Sequence, residues 1–323
     1  MAGRAVVSID IGGTKTLTAV VNEQGRVLAR RRMETPQEGP ERFVKAAARE
    51  VAALLAEAGL RREDLLGLGA GAPGPLDPAT GVVFEPPNLE GWRDIPLAAL
   101  LAEAIGIPAF IENDANAAAV GEAWVGAGAG VSDLVYITVS TGIGGGLIFG
   151  GELYHGTSGT AGEIGHMTIE PDGPTCTCGR RGHLEILASG TAIGRMATEA
   201  VVAGRPSTLS ALPRGEITAA VVAEAAAAGD VLAIEVYARA GGYIGVAAAS
   251  LVNVLNPQMI VFGGGVSKAG ELLLAPVRQA VRERAFERPA EAVRIVPAAL
   301  GDDVGVVGVA AVVYRRTGMS EKF

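Results

Sequence analysis

The sequence predicts an α/β fold built as two bodies, and three observations carry that reading. Apolar, β-branched runs of strand length alternate with longer stretches of helical periodicity from one end to the other. A strand, a small-residue turn and a second strand occur twice, as AVVSIDIGGTKT from Ala5 and as LVYITVSTGIGG from Leu134. The 323 residues, 49% hydrophobic and 19% charged, suffice for two substantial cores.

Each element follows from its own residues. The run 5–11 is β-branched and apolar, Gly12-Gly13 makes a turn, 17–21 returns as a strand, and 27–32 is a third strand after the turn at 22–25. Residues 41–58 are helix formers with helical spacing, and Gly59 is a stop. A short strand is expected at 67–71. Residues 69–74, GAGAPG, fit a dinucleotide fingerprint by letter, but Pro73, Pro75 and Pro78 forbid the helix that would receive a pyrophosphate. A loop at a cleft edge is the better account. After the loop 86–92 come a helix at 97–105, a strand at 109–111 and an Ala-rich helix at 115–124. The second body opens at 133–140, turns through 141–146 and continues as a strand at 147–149. Helices at 190–203, 218–228 and 231–255, strands at 259–262 and 293–297 and a terminal helix at 304–314 complete it. Residues 240–267 carry no charge and have the length of a membrane span. Asn253, Asn256 and Pro257 interrupt that run and Gly263 ends it, so a buried helix followed by a buried strand is expected, with no membrane partner.

The stretch 162–185 gathers two of the three histidines and both cysteines. His166, Cys176, Cys178 and His183 are two imidazoles and two thiolates, a tetrahedral Zn²⁺ set that leaves no position for water. A zinc there is structural, holding the Gly- and Pro-rich loop 171–182. A Cys176–Cys178 disulfide would close a strained ring and ranks well below metal; unrelated surface groups are the remaining alternative. A metal-bound imidazole keeps its second ring nitrogen, so His166 could hold metal with one and a hydroxyl with the other. Glu163 and Glu185 bracket the ligands and could accept from further hydroxyls, although either taken alone reads as a solvated surface charge.

Other candidates are weaker singly. Asp114, where a strand gives way to a helix, suits a general base or a helix cap equally. Asn88 suits a turn better than a ligand contact. Asp10, Thr14 and Lys15 surround the bend at Gly12 and Gly13, where backbone N–H groups could meet phosphate oxygens or simply form a β-turn. Gly263, Gly264 and Gly265 between strand and helix would let a nucleotide lie on bare backbone. No GxxxxGK[ST] occurs, so this is not a P-loop. A net charge of −8 without long basic runs argues against nucleic acid as a partner. Two cysteines committed to metal point to a reducing, cytoplasmic setting, and the first residues lack the form of a signal peptide.

Seven motifs then fall in order: DIGGTKT at 10–16, APGPLD at 72–77, ENDANAAAVGE at 112–122, STGIGGGL at 140–147, AGEIGH at 161–166, CTCGRRGHLE at 176–185 and FGGGV at 262–266. Over nearly its full length the chain resembles the ROK-family sugar kinases, the bacterial glucokinases most of all. The resemblance implies an actin-like, hexokinase-type (ribonuclease H-like) fold with a central ATP and sugar cleft. Its domains would be 1–117 and 118–303, with the C-terminal helix, 304–323, packing back on the first. It implies that Asp114 is the catalytic base and that Asn88, Asn113, Glu163, His166 and Glu185 contact sugar. Gly12, Gly13, Thr14, Lys15, Thr141, Gly142, Gly263, Gly264 and Gly265 match phosphate and nucleotide contacts, with Asp10 near Mg²⁺. One departure stands out: the family pattern CxCGxxGC has its last cysteine replaced by His183, which removes a negative charge from the metal site without removing a ligand.

The implied reaction is transfer of a phosphoryl group from ATP, with Mg²⁺, to the primary hydroxyl of a hexose, glucose first. Mannose or an N-acetylhexosamine are alternatives, because discrimination at one carbon depends on pocket shape. A non-catalytic sugar-binding regulator is another alternative, although only nine residues precede Asp10 and a winged helix is not expected there. A homo-oligomer, dimer or tetramer, is implied as well.

Overall fold

The computed structural model describes residues 4–86 and 88–319. In chain order it opens with β1 (Ala5–Ile11), β2 (Lys15–Val21), β3 (Val27–Glu34), α1 (Pro40–Ala58), β4 (Leu65–Ala72), β5 (Leu76–Asp77), β6 (Val82–Val83), α2 (Leu97–Ile105), β7 (Ala109–Asn113) and α3 (Asp114–Val125). It continues with β8 (Leu134–Val139), β9 (Ile143–Phe149), β10 (Glu152–Leu153), α4 (Leu184–Ala188), α5 (Gly190–Val202), α6 (Ala219–Ala227) and α7 (Val231–Leu255). The remainder is β11 (Met259–Gly263), α8 (Glu271–Arg284), α9 (Glu287–Ala292), β12 (Arg294–Pro297) and α10 (Val304–Arg316).

Two compact units result: one takes Met1–Asp133, Gly146–Gly162 and Ala299–Phe323, the other Leu134–Gly145 and Glu163–Ala298. The first unit holds a five-stranded sheet of order β3-β2-β1-β4-β7, antiparallel in the opening hairpins and parallel from β1 through β4 to β7. Strand alternation decides its two faces. Val7, Ile9 and Ile11 turn toward α1 and α2, where Phe43, Leu54 and Leu101 are buried, while Val6 joins Leu17, Ala19 and Val21 against Val306, Ala310 and Tyr314 of α10. Gly69 lets α10 approach, since a Cβ there would meet Val309 Cγ1 at 2.4 Å.

The helix α3 belongs wholly to this unit because it crosses α10 on small residues: a Cβ at Gly308 would lie 1.8 Å from the Ala117 carbonyl oxygen. A boundary at 117/118 would cut through that helix; the compact units part at Asp133/Leu134 instead. The observed division falls where the second strand–turn–strand motif begins, at 133–134, rather than at the 117/118 position that the family resemblance implied.

The second sheet has order β10-β9-β8-β11-β12, with β11 parallel to both β8 and β12. The strand β9 starts at Ile143, four residues earlier than the apolar run suggested, because the glycines ahead of Leu147 join the ladder rather than the turn. The 25-residue α7 is a core helix: Leu232, Val236, Tyr237 and Ile244 are buried while Glu235 and Arg239 face out. Its glycines admit α8 closely, a Cβ at Gly245 meeting Ala280 Cβ at 2.4 Å. The helix expected, without stated bounds, after the glycines at 263–265 is α8, and Pro276 sits within it.

Candidate active site

In the first unit the β1–β2 turn is a tight bend closed by Gly12 N–H donating to the Lys15 carbonyl at 3.0 Å. A Cβ at Gly12 would stand 2.7 Å from that carbonyl, so the bend requires glycine. Thr35, buried, braces it by donating from Oγ1 to the Gly12 carbonyl at 2.7 Å. Thr14 and Lys15 are left exposed at the tip, and Asn88 lies against Gly13, whose Cβ would meet Asn88 Cβ at 3.1 Å.

Asp10, at the end of β1, meets the beginning of α10: a Cβ at Gly305 would sit 2.3 Å from Asp10 Oδ2. Burial, and secondarily the charge of Asp114, push the Asp10 carboxyl up to about 7. The two acids therefore share one electrostatic neighbourhood. Asp114 is the first residue of α3, but the capping role falls to Asn113, whose side-chain oxygen accepts from the N–H groups of Ala115 and Asn116 at 3.0 and 3.1 Å. Asp114 Oδ1 accepts from its neighbour Ala115 at 2.8 Å. Beneath this junction the buried Glu112 accepts from the Asn113 backbone at 3.0 Å, from Asn116 Nδ2 at 3.1 Å and from His155 at 2.9 Å.

In the second unit the four metal candidates converge, with ligand atoms all within 4.8 Å of one another. His166 Nδ1 and His183 Nδ1 are 3.2 Å apart and Cys178 Sγ is 3.3 Å from His183 Nδ1. A tetrahedral zinc with bonds of about 2.0 Å to nitrogen and 2.3 Å to sulfur sets N–N and N–S edges of about 3.3 and 3.5 Å, so the two imidazoles and Cys178 fit it. Burial, then the neighbouring His166, lower the His183 pKa and keep the ring in the neutral, ligating form. Gly182 closes the loop with φ 66°, and a Cβ there would strike the Glu170 carbonyl oxygen at 1.5 Å. With Nδ1 turned to the cluster, His166 Nε2 faces Glu163 Oε2 at 3.9 Å, both side chains exposed.

Glu185, in the first turn of α4, has a different setting. Its Oε2 accepts from Ile143 N–H at 3.0 Å and leaves no room for a Cβ at Gly142, so it steadies the β8–β9 turn. That turn is held from its other side by Gly190 N–H donating to the Ser140 carbonyl at 2.7 Å and by Thr191 Oγ1 donating to the Thr141 carbonyl at 2.9 Å. Beside it opens a cavity of about 510 Å³ lined by Thr141, Gly190, Arg195, Arg214, Thr218 and Gly265 among others. The N-terminus of the 13-residue α5 faces this cavity, a setting that favours anions. Gly264 has φ 85° and a Cβ would meet the Val139 carbonyl oxygen at 2.3 Å; a Cβ at Gly263 would meet the Tyr136 hydroxyl at 2.0 Å. Thr141 and Gly265 were foreseen. Arg195, Arg214 and Thr218 were not, and no local sequence signal marks them, since each is unremarkable until its helix or turn is placed.

Two strand–turn–strand hairpins, an interacting acid pair and an anion-favouring cavity at a helix N-terminus are features that suit phosphoryl transfer in an α/β protein. Comparison narrows the class: residues 6–316 match the model of the ROK family, and the chain belongs to that family. It is 40% identical over 326 residues to a glucokinase of Halalkalibacterium halodurans, covering 100% of this chain and 98% of that one. Among solved structures it resembles a ROK family glucokinase from Streptomyces griseus in complex with glucose and AMPPNP, 36% identical with a TM-score of 0.83, over 95% of this chain and 98% of that one. The ROK hexokinase from Thermus thermophilus is 38% identical with a TM-score of 0.79, over 98% of this chain and 100% of that one. The expected actin-like kinase fold is thereby borne out.

Proposed function

We propose that this protein is an ATP-dependent glucokinase that transfers the γ-phosphoryl group to the primary hydroxyl of glucose. Full-length likeness to glucokinases, one of them holding glucose and AMPPNP, supports the substrate pair. The observation that carries the mechanism is the acid pair: Asp114 stands at the head of α3 with Asp10 close enough to feel its charge.

In this reading Asp114 takes the proton from the attacking hydroxyl. Asn88, Asn113, Glu163, His166 and Glu185 hold the remaining hydroxyls. The turns at Gly12, Gly13, Thr14 and Lys15 and at Thr141 and Gly142, with Gly263, Gly264 and Gly265, receive the phosphates and nucleoside. The cavity beside Thr141 and Gly265 supports the nucleoside assignment through its size and its place at a helix N-terminus. Mg²⁺ arriving with ATP would supply neutralising charge, and Asp10, a buried acid whose ionisation is disfavoured without a counter-charge, is the residue suited to hold it. Zn²⁺ on His166, Cys176, Cys178 and His183 would fix the tautomer and orientation of His166. A homo-oligomer and a cytoplasmic setting complete the proposal.

The test is Asp114→Asn assayed over a panel of hexoses with ATP. Turnover should fall roughly 10²–10⁴-fold, with glucose binding retained. Near-normal turnover by that variant refutes the base assignment, and a faster initial rate on mannose or an N-acetylhexosamine than on glucose refutes the substrate.

A further inference from the structure

The buried Glu112 has no role in the mechanism above, yet it spans the catalytic junction. One of its oxygens, Oε1, accepts from the Asn113 backbone at 3.0 Å and from Asn116 Nδ2 at 3.1 Å, clamping the residues on either side of Asp114. The other, Oε2, is held by His155 Nε2 at 2.9 Å, 43 residues along the chain. His155 follows β10 and stands at a cavity of about 240 Å³ lined also by Glu112, Glu152, Leu153, Arg315 and Arg316. Glu112 is only 2% exposed, whereas the His155 side chain is 32% exposed, so solvent reaches the pair from the histidine side. Without that partner, Oε2 would be a buried carboxylate oxygen with its charge uncompensated.

We infer that His155 is a positioning residue for phosphoryl transfer: acting through Glu112, it holds the β7–α3 junction so that the Asp114 carboxylate meets the sugar hydroxyl correctly. The inference rests on Asp114 being the base. Small displacements of a reacting group are costly, which gives a remote histidine leverage over the rate without contact to substrate.

The same geometry ties the rate to pH. The hydrogen bond to Glu112 raises the His155 pKa above its ordinary 6.5, against burial and against the charge of Arg316. Arg316 is occupied with the Pro78 carbonyl at 2.8 Å and lies over the Phe110 ring, and Arg315 pairs with Glu152. The groups facing His155 are therefore Glu112 from β7, Glu152 from β10, and Arg315 and Arg316 from α10. Because the folded-state pKa is raised, the charged pair is intact below 6.5 and is lost as pH rises through the higher folded value. The rate should decline on the alkaline side.

The experiment compares His155→Ala and His155→Gln with the full-length wild-type enzyme, measuring kcat and KM for glucose and ATP from pH 6 to 9. Alanine should cost about 10- to 100-fold in kcat with KM for glucose within about twofold. Glutamine, a donor that does not titrate, should restore most of kcat at neutral pH and abolish the alkaline decline. Wild-type kcat in the alanine variant, or an unchanged alkaline decline in the glutamine variant, overturns the inference; should alanine not fold, the glutamine profile decides alone. Asp114→Asn separates the two levels. If it is inactive while both His155 variants match wild type, only the positioning role fails; if it turns over normally, the base assignment fails and takes the inference with it.

Discussion

Replacing Asp10 by Asn should stabilise the ligand-free protein at neutral and alkaline pH while impairing its use of Mg-ATP. The folded protein raises this carboxyl from 3.8 to about 7, through burial first and the Asp114 charge second. That difference of about 3 units corresponds to about 2 to 4 kcal/mol, the lower figure allowing for the strip of side chain that still meets water. The sign follows from proton counting. Between 3.8 and about 7 the folded state binds more protons than the unfolded state, so stability falls as pH rises through that window. The penalty is fully developed above pH 7 and absent below 4. Urea denaturation of wild type and Asp10→Asn, without Mg²⁺, from pH 4 to 8.5 reads it directly: the variant should match or trail wild type at pH 4 and exceed it at pH 8. Curves that stay parallel across the range would refute the reasoning. Adding Mg-ATP should narrow the gap from the wild-type side, because only the wild type gains a counter-charge at that position.

Two further outcomes follow from the packing and the metal cluster. Glu122 is fully buried and its carboxylate accepts from the backbone N–H groups of Ala127, Ala299 and Leu300 at 2.7 to 3.1 Å, tying α3 to the segment that leads into α10. Glu122→Ala should cost roughly 3–5 kcal/mol by stranding those donors, measured by denaturant titration, and a loss below about 1 kcal/mol would contradict the arrangement. Removing metal with a chelator should raise the Kd for glucose at least about tenfold by freeing His166, while AMPPNP affinity changes little, as read by calorimetry. Equal glucose affinity in metal-free and metal-loaded protein would break the proposed link between cluster and sugar.

The sites legible in the sequence were those whose parts lie close along the chain. His166, Cys176, Cys178 and His183 fall within 18 residues, and their donor types suit a metal before any fold is known; the structure adds that Nδ1, not Nε2, points inward on both imidazoles. Asp114 was visible as an acid at a strand–helix junction, but whether it or Asn113 capped the helix needed coordinates. Glu185 looked like a surface carboxylate and turned out to brace the β8–β9 turn from 42 residues away. The lining of the larger cavity comes from segments spread between Ser140 and Val266, and no periodicity could join Arg195 to Arg214 and Thr218. The glycines at 263 and 264 were expected to offer bare backbone to a nucleotide, and the structure adds a steric demand that the sequence does not show, set by Tyr136 and Val139 of a neighbouring strand.

By itself the sequence determined the alternation of strands and helices, the two hairpin turns, the candidate metal donors and the family, because each of these is written in residue type and short spacing. Only the tertiary structure decided that α3 belongs with α10, that burial, with the charge of Asp114 added, disfavours ionisation of Asp10, and that Glu112 joins His155 beneath the β7–α3 junction. Those are matters of burial and of contact between residues far apart in sequence, and both are created when strands pair and helices pack, not before.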